Sequence, residues 1–438
     1  LPDARGLAVE LDATRRTSPP DAASGDLDAG IAQVESASLR TEVRMSEHGE
    51  VISLQRDWAA FCDRLKSAGE RILGADFPSA PRDRAEGFRH LGRLSVFALQ
   101  QYLDFADARF PAFLRFDDDV TRWGGPNADN HYQRARVEAG GTYRVTGNVR
   151  GLRELILSTN EGDMQLGQLR VFEERNLSQL AVGADGALEV IVSAAPHAGN
   201  WVPLHDGAEY VLLRQYVSDW DKDAVAHFRI ERVGSEGLAP PPLEPAQVAH
   251  ALERAATWVE RSVVYWNEWM RRARSFLPDN RLGKPRPQAG GARDIYYGGG
   301  WWNLADDEAL VIECEAPRAR YWSIQLYAFP WFESLDFANR VSSLTGHQIR
   351  VDDDGRFRVV VAHRDPGVQN WLDTEGRRDG LITYRWVFAS SAPEPTSRVV
   401  KLADVRGALP GTTPPFAEAD RRAQIAARQR AVARRFRT

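Results

Sequence analysis

The chain reads as mainly β with α additions: two tandem jelly-roll or β-sandwich modules related by internal duplication, with an N-terminal helical pair and a long inter-module helix. Three observations predict this. First, one pattern occurs twice: an Asp-Gly turn, an alternating apolar strand, Asn-Trp, then an Arg inside a second strand. It runs Asp185-Gly186, Val190 to Val192, Asn200-Trp201 and Arg214, and again Asp354-Gly355, Val359 to Val361, Asn370-Trp371 and Arg385. From Trp to Arg is thirteen residues in one copy and fourteen in the other, and self-similarity at such spacing marks a duplicated unit. Second, apolar residues over 122–236 recur with period 2, in short runs separated by Gly, Asn and Asp, which indicates a sandwich and not a doubly wound sheet. Third, the segments flanking the two copies change to a period near 3.6.

The elements follow in order. Residues 1–48 hold isolated aliphatics and no aromatic residue. They cannot bury enough apolar surface to offset their ordering entropy, so a disordered tail is expected. Over 49–121, Leu54, Trp58, Phe61, Leu65, Ala68 and Ile72 define one helical face and Phe88, Leu91, Ser95, Ala98, Tyr102 and Phe105 a second, with Pro78 and Pro81 between them. The first module, 122–236, holds candidate strands at 142–149, 155–159, 169–172, 188–193, 210–217 and 225–231. Residues 237–297 give a Pro-rich linker, a helix over about 246–277 with apolar stripes on two sides, and a loop. The second module covers 298–405, and 406–438 ends in a helix with seven Arg from Phe416 onward. The repeat extends upstream: Gly124-Gly125, Asn127, Asp129, Glu138 and Tyr143 match Gly299-Gly300, Asn303, Asp306, Glu315 and Tyr321 in spacing.

The stretches WGGPNADNHYQRARVEAGGTYRVTG, YWSIQLY, DGRFRVVVAHRDPGVQNWL and ITYRWVF resemble family 1214 among the domains of unknown function. The resemblance covers about 88–437. It implies a jelly-roll β domain with helical additions, and it implies no agreed reaction, cofactor or catalytic residue.

Composition narrows the classes. A net charge of −5 gives no electrostatic reason for nucleic acid as the main partner. Two cysteines, Cys62 and Cys314, make no disulfide framework. No apolar run approaches the ~20 residues of a spanning helix, so no membrane insertion is expected and the default location is cytoplasmic. A homo-oligomer is left open.

Individual residues carry competing readings. Trp201 and Trp371, each after Asn, read as plugs at the sandwich ends, the indole N–H finding a carbonyl; the alternative puts them on a ligand face. Arg214 and Arg385 lie mid-strand among apolar neighbours. Facing inward they need a carboxylate, and Glu138 and Glu315 are the expected partners, mainly structural. The segment 278–303 reads as the functional loop: Tyr296, Tyr297, Trp301 and Trp302 surround a Gly triplet and form either a ligand-facing wall, with Trp123, or a lid between the modules. Asp129, His131, Tyr132 and Arg134 are the densest acid–base set. They read as a catalytic group able to polarise a carbonyl or move a proton, or as a hydrogen-bonded turn at the sandwich entrance. No metal site and no cofactor are expected, since His197, His205 and His363 lack ligand spacing. The Arg-rich terminal helix reads as docked on the body through Ile425, Val432 and Phe436.

The function expected from these residues is binding, and acid–base transformation, of a bulky apolar or aromatic small molecule in a cleft between the modules. A carbohydrate-binding or sugar-active protein and a jelly-roll assembly protein are the alternatives.

Overall fold

The computed structural model describes residues 53–288, 292 and 294–437, so the expected disordered tail over 1–48 lies outside the described residues. Helix α1 covers 53–72. Helix α2 (Pro81–Leu99) starts on a proline, whose missing N–H costs nothing in a first turn, and it runs into a single π-helical turn over Gln100–Asp104.

The first module is built from β1 (Leu114–Arg115), β2 (Asn130–Arg136), β3 (Thr142–Asn148), β4 (Glu154–Asn160), β5 (Val171–Asn176), β6 (Ala187–Ser193), β7 (Trp201–Pro203), β8 (Tyr210–Tyr216) and β9 (Phe228–Arg232). They form two sheets, ordered β1-β2-β8-β4-β5 and β7-β6-β3-β9. Helix α3 (Pro245–Arg274) follows. The second module holds β10 (Ile295–Asn303), β11 (Glu308–Glu315), β12 (Ala319–Tyr327), β13 (Ser343–Thr345), β14 (Arg356–Ala362), β15 (Trp371–Asp373), β16 (Asp379–Ala389) and β17 (Thr396–Lys401). Its sheets run β10-β16-β12-β13 and β15-β14-β11-β17. Strand for strand, β2 to β9 correspond to β10 to β17, down to the parallel pairings β6–β7 and β14–β15 in otherwise antiparallel sheets. The duplication is thus a duplication of topology. A short helix α4 (Val405–Ala408) and the terminal helix α5 (Glu418–Phe436) complete the chain.

Within each module the two sheets share one apolar core. Val145, Leu157, Val190, Val211 and Leu213 fill the first, and Trp302, Leu310, Phe357, Ile382, Tyr384 and Trp386 the second. The repeated Asn-Trp ties one turn in each copy. The Asn200 amide donates to the carbonyls of Ala181 and Glu189 at 2.8 and 2.9 Å, and Asn370 donates to those of Arg350 and Arg358 at 2.7 and 2.9 Å. The following indoles donate to Ser193 O and Ala362 O, each at 3.1 Å. Each pair thereby satisfies backbone groups that an irregular turn would otherwise strand.

Ladder register corrects the upstream repeat. Arg214 stands opposite Tyr132 and Ile156, and Arg385 opposite Tyr297 and Ser323. Tyr132 is therefore the counterpart of Tyr297, and Arg134 that of Gly299. Gly124-Gly125 lie in a loop before β2, whereas Gly299-Gly300 lie inside β10, so their equal spacings do not reflect equal positions. Likewise Tyr143 is on β3 and Tyr321 on β12, which are not equivalent strands.

The expected loop over 278–303 is strand from Ile295 onward. Its glycines let a neighbouring segment cross the strand: Gly283 N–H donates to Gly299 O at 2.8 Å, and a Cβ on Gly300 would collide with the carbonyl of Arg281. Helix α5 docks through Ala431, Val432 and Phe436 against Val217, Trp220 and Phe337. Three of its arginines are buried at heptad spacing. Arg421 pairs with Asp365 at 2.9 Å, Arg428 donates to Phe337 O and Ser343 O, and Arg435 donates to Ala128 O. Guanidinium stems and carbonyl partners thus add to the apolar stripe of Ile425, Val432 and Phe436 in docking the helix.

Candidate functional site

Strands expose alternate residues to opposite faces, and here both faces are covered. On β8, Val211 and Leu213 enter the sandwich core, so Leu212, Arg214 and Tyr216 point outward. On β16, Ile382 and Tyr384 enter the second core, so Leu381, Thr383 and Arg385 point outward. The two outward faces meet around one cavity of about 830 Å³. Ile156, Tyr216, Ile295, Tyr321 and Val387 form an apolar cluster joining the modules beside it. Helix α3 packs on α2 and contributes Trp266 and Trp269 to the cavity wall.

The repeat-equivalent pairs Tyr132/Tyr297 and Arg214/Arg385 all line this cavity, together with Trp123, Trp301 and Arg134. Arg385 is 7 % exposed and donates to Gly125 O and Tyr327 OH, both at 2.8 Å, and to Thr383 Oγ1 at 3.1 Å. None of these partners is a carboxylate. Burial works against its charge, yet Tyr327, Tyr132 and Tyr297 around it leave its pKa above the ordinary guanidinium value. Arg214 behaves alike: burial opposes the charge, while Tyr297, Tyr216 and Tyr132 favour it, with Glu174 adding less. Both cations stay charged at every accessible pH.

The cavity wall is strongly asymmetric in charge. Among the described residues it holds six cationic side chains (Arg134, Arg214, Arg272, Lys284, Arg286 and Arg385) and two acids, Asp117 and Asp163. Asp163 is bound to Arg134 at 2.7 Å and to the Trp258 indole N–H at 2.7 Å. Burial pushes Asp117 well above the carboxylate range, against a hydrogen bond from Trp123 N–H. Burial thus favours its protonated form. A chain of net charge −5 thus concentrates positive charge in this cleft. The Tyr216 ring is buried there and the Tyr132 ring half-buried, and desolvation raises the Tyr132 phenol to about 12.

The structure separates the expected acid–base set. Tyr132 and Arg134 face the cavity, but Asp129 and His131 face α5. Asp129 accepts from Tyr321 OH at 2.5 Å and Trp220 Nε1 at 2.8 Å, and the His131 ring stacks on Phe436 at 5.8 Å. Burial, with Arg115 and Arg435 nearby, pushes His131 down to about 3. Alternation along β2 is the physical reason, since neighbours in sequence cannot share a face. The expected aromatic wall divides in the same way. Trp123, Tyr297 and Trp301 line the cavity, whereas Tyr296 packs on the second core and Trp302, fully buried, donates to Arg377 O at 3.1 Å.

The expected Glu–Arg pairs are not formed. Glu138 binds Arg232 at 2.5 Å, and Glu315 is exposed at the end of β11 opposite Arg356. Carbonyl and phenol oxygens take the place of the carboxylate at Arg385. Residues that sequence reasoning missed are Asp117, Asp163, Gln165 and Tyr210 on the first module's side. Asp117 sits in a run of three aspartates with no periodic signal, while Trp266 and Trp269 were visible only as stripes of a helix. Among the described residues no cluster of His, Cys, Asp and Glu could hold a metal ion, and no helix is long and apolar enough to cross a membrane.

Comparison with known proteins agrees with this architecture. A family model described as a protein of unknown function (DUF1214) matches residues 161–219 and 303–389. A solved structure of an uncharacterized protein from Burkholderia cenocepacia is 38% identical, covering 79% of this chain and 97% of that one, with a TM-score of 0.74. The chain belongs to the DUF1214 family. The first matched segment of this DUF1214 protein carries β5 to β8, and the second carries their equivalents β13 to β16 preceded by β11 and β12, so both cavity arginines lie within matched segments. A solved protein from Vibrio parahaemolyticus is 12% identical over 72% of this chain and 98% of its own, with a TM-score of 0.41. No curated protein matches the chain.

Proposed function

We propose that this DUF1214 protein binds a bulky aromatic or apolar small molecule carrying an anionic group, in the cleft between its two β modules. The observation that carries the reading is the pair Arg214 and Arg385. They come from equivalent positions of the two modules and line one cavity, and none of the three hydrogen bonds that Arg385 donates goes to a carboxylate, while tyrosines outweigh Glu174 in favouring the Arg214 charge. Two like charges held in a low-dielectric wall are costly unless an anion compensates them. The rings of Trp123, Trp266, Trp269, Trp301 and Phe332 supply the apolar surface for the body of the ligand. Arg272, Lys284 and Arg286 extend the positive wall and would draw anions inward. Burial favours the protonated form of Asp117, and it is the group to test for acid–base chemistry.

Trp123 and Trp301 are 7 % and 2 % exposed, which suits an enclosed ring better than an open platform for sugars. The test is a matched pair of ligands. 2-Naphthoate should raise the melting temperature of the protein in a dose-dependent manner, and the isosteric neutral 2-naphthamide should not. Equal shifts, or none from either, would remove the reading.

A further inference from the structure

At the first module's end of the cavity, polar side chains gather that have no equivalent in the second. Arg134, 3 % exposed, makes its bond to Asp163, and its Nε and Nη2 have no hydrogen-bond partner. Its guanidinium carbon lies 4.9 Å from the Phe97 ring centroid, 5.1 Å from that of Phe116 and 4.8 Å from that of Tyr210. Gln165, 5 % exposed, has neither its amide nitrogen nor its amide oxygen bonded. Asp117 stands in the same wall. Buried polar groups in native proteins are nearly always bonded, and each exception calls for an explanation. A ligand group able both to donate and to accept would satisfy these.

The charge here differs from that at Arg214 and Arg385. Arg134 and Asp163 are paired at 2.7 Å and burial disfavours a charge on Asp117, so this end offers little net charge. The spacing is set by the ladder. Arg134 pairs with Leu212, two residues along β8 from Arg214, which is roughly 7 Å of strand. The arrangement is one-sided, because the counterpart of Arg134 in the second module is Gly299.

We propose that Arg134, Gln165 and Asp117 form a second polar subsite, which takes an uncharged hydroxyl or amide of the ligand roughly 7 Å or more from the anionic group held by Arg214 and Arg385. The proposal rests on the anion reading above, and it narrows the ligand class to aromatic acids bearing a distal neutral polar group.

Titration calorimetry with 2-naphthoate and 6-hydroxy-2-naphthoate tests it on the full chain and on Gln165→Leu. The full chain should bind the hydroxy acid about tenfold tighter, the worth of roughly one hydrogen bond. Gln165→Leu should bind both acids alike, at the affinity the full chain has for 2-naphthoate. If Gln165→Leu does not fold, Gln165→Met carries the same comparison. Equal affinities in the unmodified protein, or a preference that survives the substitution, overturn the subsite and leave the anion site standing. Failure of both acids to bind overturns both proposals together.

Discussion

Replacing Arg385 by Met tests the anion site most directly. The guanidinium makes three hydrogen bonds, to Gly125 O, Tyr327 OH and Thr383 Oγ1, none of them to a charged group. For the empty protein two effects oppose one another. Losing three bonds removes ~1 kcal/mol each, while removing a buried charge without a counter-ion relieves a penalty of several kcal/mol. Arg385→Met should therefore melt within a few degrees of the unmodified protein. For a bound carboxylate there is no such cancellation. A charge-assisted hydrogen bond contributes ~1.5–3 kcal/mol, and Arg214 remains to hold part of the anion. The dissociation constant for 2-naphthoate should rise about 10- to 150-fold by calorimetry. That for 2-naphthamide should change less than about threefold, since a neutral amide gains little from the charge. A folded Arg385→Met that binds 2-naphthoate as before would refute the reasoning, as would a variant that loses acid and amide equally.

Other expectations follow from the same structure. Gln165→Leu should raise the urea midpoint of the ligand-free protein, because an unbonded buried amide costs ~1–3 kcal/mol; a lowered midpoint would show that Gln165 has a partner. Gly125 has φ +73° and a Cβ there would enter the Phe332 ring, so Gly125→Ala should destabilise by more than ~2 kcal/mol in urea unfolding. Acid should destabilise the fold in two windows. Burial opposes the charge of Glu333, but hydrogen bonding from His90 with the charges of Arg122 and Arg93 brings it down to about 2 from 4.5. Its folded pKa is depressed, so its stabilisation is present above pH 4.5 and is lost as pH falls toward 2, at most ~3 kcal/mol. His131, buried neutral with a pKa near 3 against 6.5, adds a loss that begins below pH 6.5 and continues to about 3. Urea titrations of Glu333→Gln and His131→Asn should flatten the respective windows. Finally, burial pushes the Cys314 thiol up to about 12, while Cys62 is exposed, so a thiol reagent should label the native protein once at pH 8 and twice after unfolding.

What the sequence revealed depended on how local each signal was. Asn200-Trp201 and Asn370-Trp371 were readable because their bonds close within twenty residues of chain. The duplicated topology was readable because period 2 and turn residues are local as well. Which face of β8 or β16 points where was not. Leu212, Leu213 and Tyr216 surround Arg214 with apolar neighbours on both faces, so alternation carries no contrast when a sandwich core lies on one side and a second module on the other. That is why Glu138 and Glu315 read from the sequence as partners of Arg214 and Arg385, while in the fold Glu138 binds Arg232 and Glu315 stands opposite Arg356. The same blindness placed Asp129 and His131 with Tyr132 and Arg134, although a strand sends them apart. Asp117 and Gln165 come from connecting segments whose positions depend on α2 and α3 packing above them, and no sequence period records that.

The cavity follows from duplication plus one insertion. Two copies of a module facing each other through equivalent sheets bring equivalent residues near one another, as Tyr132 with Tyr297 and Arg214 with Arg385 show. A closed interface would have driven these cations out, because two like charges cannot share a dry contact without compensation. Here α3, placed between the copies in sequence, puts Trp266 and Trp269 against the cleft and leaves a cavity of about 830 Å³ with both arginines in its wall. The symmetric pair can recognise only what is common to both sides, a charge. Under the proposed function, discrimination among acids would come from what the copies do not share, and at the position where the second module has Gly299 the first has Arg134. Double replacement of Arg214 and Arg385 should therefore abolish discrimination between acid and amide, while changes at Gln165 should alter only which acid is preferred.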